Sequence, residues 1–139
     1  MHQQTILGHE DARRALDAML KEINRRGKAG VIAIADAHGE LIALLRMDGA
    51  PLSSIQIASN KAFTAARERK PTRDIGLRAR DPERGFPMTN FGDLRFVGWG
   101  GGLPVLVDGQ VIGAVAVSGL PESEDIEVAE LGVRAILGE

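Results

Sequence analysis

Cysteine is absent from the 139 residues, so disulfides, thiolate metal sites, iron–sulfur clusters and cysteine nucleophiles are excluded, and nothing argues for an oxidising compartment. Tyrosine is absent too, and one tryptophan and four phenylalanines make up the whole aromatic complement, too few for a platform on which bases stack. The only imidazoles are His2, His9 and His38, at the terminus, a helix start and a turn. None has metal-ligand spacing, so no metal site is expected and solvated side chains are the ordinary reading. No segment approaches the roughly 20 apolar residues that span a bilayer, and no basic stretch followed by a long apolar run opens the chain. The expectation is a cytoplasmic protein with no membrane partner.

What is present suits one domain over residues 1–139: 44% of the residues are hydrophobic, enough for one core without staples. The formal charge of −2 offers no general attraction to nucleic acid. Arg67, Arg69, Lys70, Arg73, Arg78, Arg80 and Arg84 make the middle of the chain locally basic, which reads as a solvated or subunit-facing surface rather than a nucleic-acid site.

Ala12, Ala15, Leu16, Met19, Leu20 and Ile23 repeat at helical spacing and predict an amphipathic helix from about His9 to Arg26, with Glu10 and Asp11 at its start and Arg25 and Arg26 at its end complementing the dipole. Val31–Ala35 and Leu41–Arg46, separated by the turn residues Asp36-Ala37-His38-Gly39-Glu40, predict a hairpin. Ser53-Ser54-Ile55-Gln56 has the pattern of a capping box and opens a helix to about Lys70, where Pro71 stops it. From Pro71 to Asp93 periodicity fades into a long excursion with a short helix near Thr72–Arg80, and Leu94–Val97 reads as a short strand. Leu103–Val107 and Val111–Val117 flank Asp108-Gly109, the strongest short signal for a tight turn with positive φ, and the nearly all-apolar second run predicts a central strand. A last helix follows Pro121, with Ile126, Ala129, Val133 and Ile136/Leu137 as its expected buried stripe. The order of helices and hairpins shows no long right-handed crossover of the kind a parallel sheet demands, so an α+β fold with an antiparallel sheet covered by helices is expected.

Arg46-Met47-Asp48-Gly49-Ala50, then Ala58-Ser59-Asn60-Lys61-Ala62-Phe63-Thr64-Ala65, Gly100-Gly101-Gly102-Leu103-Pro104, and Val111 to Gly119 with Glu124-Asp125 beyond, together resemble the GlcG/HbpS family. That family is haem-degrading-domain-like and includes the C-terminal domain of PduO-type corrinoid adenosyltransferases. The resemblance spans nearly the whole chain. It implies a profilin-like five-stranded antiparallel sheet sandwiched by helices in α/β/α layers, a homo-oligomer of two or more subunits, and haem or another tetrapyrrole as candidate ligand.

The residues suggest where a ligand would sit. Gly98, Gly100, Gly101 and Gly102 can bring backbone N–H groups up to an anion, or serve as a strand entry packed tightly on a helix. Lys-Ser/Thr does not follow, so no Walker loop forms, and a hairpin in place of a helix excludes a dinucleotide fingerprint. Arg46, Lys61, Thr64 and Ser118 can form a polar pocket for a small anionic ligand, with an Arg46–Asp48 surface pair as the plainer alternative. Trp99 can wall a planar ligand, anchor a subunit or pack in the core, and Met88 is either a soft axial ligand for haem or a gap filler. The leading expectation is a ligand-binding protein. The rival is a cofactor-independent enzyme of proton-transfer or lyase type acting on a small oxo or hydroxy acid, with Lys61, Asp48 or Glu124 as base; an assembly module is the third.

Overall fold

The structure, a computed structural model, describes residues 1–139. Helix α1 (His9–Arg25) leads to strands β1 (Val31–Asp36) and β2 (Leu41–Arg46), then α2 (Ser54–Glu68), α3 (Thr72–Ala79) and a 3₁₀ turn at Met88–Phe91, before β3 (Gly102–Val107), β4 (Gln110–Ser118) and α4 (Glu122–Leu137). The two hairpins join through β1 and β4 in the order β2-β1-β4-β3, antiparallel throughout. Asp108 and Gly109 take φ of 50° and 77°, the turn that this dipeptide predicts. β4 is a central strand, buried from Val111 to Ser118.

The sheet has four strands where five were expected, and Leu94–Val97 is not one of them. The physical reason lies in α2. The Thr64 hydroxyl accepts the Val97 N–H at 3.0 Å and donates to the Arg95 carbonyl at 3.3 Å, so a side chain takes the backbone groups a ladder would need. A second correction concerns the start of α2. Ser53 already has helical dihedrals and makes no side-chain cap, while the Gln56 amide donates to Asn60 Oδ1, so the capping box does not form. A capping side chain needs an extended N-cap residue, and the turn through Pro51–Ser53 is already helical.

The two faces of the sheet differ in bulk. Ile32, Ile34, Val115 and Val117 meet α1 and α4 through Met19, Ile23, Val128 and Ala129. On the other face Val31, Ala33, Ala35 and Ala116 meet Ala58 and Ala62 of α2, and such short side chains let that helix approach closely. α2 is buried on nearly every side from Lys61 to Ala66, because the excursion folds back over its outer surface. All four phenylalanines build that cover: Phe63 meets Phe96 edge-on at 5.0 Å, Phe96 stacks on Phe91 at 4.2 Å, and Phe91 meets Phe86 at 5.8 Å. The buried stripe of α4 is broader than the expected one: Ala129 lies on it and Val133 and Ile136 pack against the core as expected, but it also takes in Asp125, Val128 and Gly132. Asp125, Val128, Ala129 and Gly132 are buried and Leu137 is exposed, because α4 crosses α1 where Met19 fills the space that a side chain at 132 would occupy.

Candidate functional site

Three helices converge on the segment that runs from Gly98 into β3, and its glycines are the reason they can. A Cβ at Gly76 of α3 would lie 1.8 Å from the Gly98 carbonyl oxygen, and one at Gly102 would lie 2.5 Å from the Lys61 carbonyl oxygen. Gly101 has φ of 123° and sits beside Lys61 Nζ. The Gly102 N–H donates to the Thr72 hydroxyl at 2.9 Å, and the Gly101 carbonyl accepts the Val117 N–H. Of the two readings of the glycine run, tight packing accounts for Gly98, Gly101 and Gly102.

Trp99, held between Gly98 and Gly100, is 56% exposed and so is not a core residue. Two clefts meet at its indole. The outer one, about 230 Å³, is mostly apolar, walled by Phe86, Met88 and Val97, with Arg80 at its edge. The inner one, about 260 Å³, is lined by Lys61, Gly100, Ser118, Glu122 and Asp125.

Lys61 reaches the inner cleft from the middle of α2 and is only 3% exposed. Its ammonium donates to the Val117 carbonyl at 2.9 Å and to Asp125 Oδ2 at 3.2 Å, and two bonds leave one of its three protons without a protein acceptor. Asp125 Oδ1 accepts the Leu120 N–H at 3.1 Å, which fixes the carboxylate at the start of α4. Burial lowers the Lys61 pKa, against the opposing pull of Asp125. Burial likewise raises Asp125 to about 6, more than Lys61 and the Leu120 N–H lower it. Desolvation thus pushes both partners toward their neutral forms.

Of the residues expected to form a site, Lys61, Trp99, Gly100 and Ser118 share the inner cleft, with Gly101 against the ammonium. Ser118 is also hydrogen-bonded to Ser54 through the two hydroxyls at 3.1 Å. Thr64 is buried beneath the Arg95–Val97 segment. Arg46 stands at the same end of the sheet as Ser118, but β1 lies between them, about 10 Å at ordinary strand spacing. It is exposed, makes no ion pair with Asp48, and neither residue lines the inner cleft. Glu124 points to α1, where Lys28 and Arg26 hold it and lower its pKa. Asp125, one residue on, takes the position by Lys61. With one ammonium and two carboxylates, the inner cleft does not have the cationic balance that a small anion favours.

His2 and His38 line a groove of about 300 Å³ with Arg69 at the opposite end of the sheet, and no group of three or more metal-binding side chains is placed to hold an ion.

An antiparallel sheet between two helices and one, with a two-sided cleft at a glycine-pinned tryptophan, defines an α+β sandwich domain. The chain belongs to the HbpS-like family of haem-degrading proteins, whose model matches residues 7–134. It is 36% identical over 125 residues to protein GlcG of Escherichia coli, covering 85% of each chain. Its fold is similar to that of Klebsiella pneumoniae protein ORFY, with a TM-score of 0.94 and 28% identity across 100% of this chain and 96% of that one. It is similar also to PduOC, solved as a haem complex, with a TM-score of 0.87 and 25% identity over 94% and 95% of the two chains.

Proposed function

We propose that this chain is a homo-oligomeric small-ligand-binding protein that takes haem or a related tetrapyrrole against Trp99. The observation that carries this reading is the exposed indole, held in place by glycines on both sides and bordering the apolar outer cleft. Large exposed apolar side chains at a formed cleft are the usual mark of a binding surface. The haem complex of PduOC, a relative of the same fold, supports the choice of ligand.

The residues present fit a macrocycle. Phe86, Val97 and Trp99 offer apolar walls, and Arg80, which makes no ion pair in the chain, offers a cation for peripheral carboxylates. Met88 is the soft donor of the outer cleft, and no histidine lines it. Haem bound there supplies an iron centre and two propionates. The protein supplies walls, a cation and exclusion of water. Neither cleft reaches the ~300–1,000 Å³ of a typical ligand pocket, so a second copy of the chain is expected to cover the part of the macrocycle that one leaves bare.

Titration with haem, followed by visible absorption and by the emission of the sole tryptophan, tests the reading. A shifted Soret band with quenching of Trp99 is expected at micromolar haem, and Trp99→Ala and Arg80→Ala should each weaken binding about tenfold. A flat response in both signals removes the tetrapyrrole.

A further inference from the structure

We propose that Lys61 is a nucleophile that forms an imine with small uncharged carbonyl compounds in the inner cleft, with Asp125 moving the protons. This site meets the wall assigned to the macrocycle only at Trp99, and its reacting groups, Lys61 and Asp125, stand without it.

The placement of the groups carries the inference. The Lys61 amine is held at the cleft by two fixed acceptors, the Val117 carbonyl and Asp125 Oδ2, so its direction is set before any ligand arrives. Gly101, at φ of 123°, lets the strand entry pack directly against the pair: a Cβ there would come within 2.6 Å of the Val117 carbonyl oxygen and 2.8 Å of Nζ, so the amine keeps its place at the wall of the cleft. Asp125 is in turn fixed by the Leu120 N–H, so nucleophile, proton carrier and orienting group stand in line. Desolvated lysines beside a proton acceptor are the kind that add to carbonyl groups.

Charge and size set the substrate class. Asp125 and Glu122 both line the cleft against the one ammonium, which disfavours a 2-oxo acid and favours an aldehyde or hydroxyaldehyde. The Glu122 carboxylate is available for a substrate hydroxyl. A volume of about 260 Å³ is the share of on the order of eight or nine waters in the liquid, room for a small carbonyl compound.

The steps balance without any outside oxidant or reductant. The ammonium gives a proton to Asp125, and the neutral amine adds to the carbonyl carbon, forming the C–N bond while the C=O π pair moves to oxygen. Asp125 protonates that oxygen and then accepts a proton from nitrogen, giving the carbinolamine. The hydroxyl leaves as water with the proton from Asp125 as the nitrogen lone pair forms the C=N bond. The products are a protonated imine and the Asp125 carboxylate.

The full-length protein is incubated with acetaldehyde and cyanoborohydride at neutral pH, and the reduced adducts are mapped by mass spectrometry of peptides. Lys61 is expected to carry the N-ethyl label at least tenfold faster than the exposed Lys21, Lys28 and Lys70. Lys61→Arg, checked for an intact melting transition, should retain only the slow surface labelling. Asp125→Asn should slow labelling at Lys61 at least tenfold while leaving the other lysines unchanged. No label at Lys61, or labelling no faster than at the three exposed lysines, overturns the proposal in the unaltered chain whatever the variants do. Pyruvate is expected to label Lys61 more slowly than acetaldehyde, and the reverse order overturns the assignment to uncharged carbonyls. Haem titration reads a different signal, so either result can fail alone.

Discussion

Asp125 shows how one side chain acquires its role from where the chain folds. It lies beside Glu124 in sequence, yet Glu124 is drawn below its ordinary pKa by Lys28 and Arg26, while burial raises Asp125 to about 6. The consequence for stability has a definite sign. An acid whose folded pKa exceeds its unfolded value of 3.8 makes the native state the better proton binder between the two, so its contribution to stability falls as pH rises from about 4 to about 6. Glu22, Asp11 and Glu124 are shifted downward, Glu22 to about 2, and their contributions are lost instead as pH falls through the acid range. Urea midpoints at intervals from pH 4 to pH 7 should therefore show a falling component in the parent chain that is missing in Asp125→Asn. Asn keeps the acceptor for the Leu120 N–H but turns its amide N–H toward the Lys61 ammonium, so the slopes with pH and not the absolute midpoints are the quantity to compare. Sequence periodicity held a usable sign of this residue. The spacing of Asp125, Val128, Ala129 and Gly132 places a carboxylate on the apolar stripe of α4, whereas a stripe chosen by the largest residues, through Ile126 and Val133, passes it by although Val133 also packs on the core.

At the scale of elements, the packing of α3 against the segment before β3 holds Trp99 at the surface. Alanine is the better helix former by about 1 kcal/mol, so Gly76→Ala would stabilise an isolated α3. Here the new Cβ would meet the Gly98 carbonyl oxygen at 1.8 Å, and since both groups are backbone, overpacking at about 3 kcal/mol is expected to win. Urea unfolding should show that loss, and the Trp99 emission should shift as the segment is displaced. Gly109→Ala is the contrasting case. Nothing lies within 4 Å of a Cβ there, so only the positive φ resists, at about 1–2 kcal/mol, with no change in Trp99 emission. The two hairpins, α1 and the extent of α2 were legible because periodicity and turn chemistry act locally. Leu94–Val97 was not, because its apolar composition suits a strand while the Thr64 hydroxyl, distant in sequence, takes its hydrogen bonds.

For the molecule as a whole, the sheet leaves β2 and β3 as edges, and Leu41, Leu106 and Val107 on them are exposed. Unpaired apolar edges favour association, and the homo-oligomer in the proposed function accords with that. Sedimentation over a range of concentrations should give a mass at least twice the 14.8 kDa of the chain, and haem binding should weaken where dilution yields the monomer. Composition and pattern were enough, by themselves, to determine the hairpins, the helices, the antiparallel joining and the absence of thiol chemistry, because these depend on residue type and short-range spacing. Only the tertiary structure decided that the glycines serve close packing, that Arg46 and Asp48 stay outside the cleft, and that Asp125 faces Lys61. Those outcomes depend on which helix crosses which strand end and how near it comes, and that distance is set by the bulk of all the side chains between them at once.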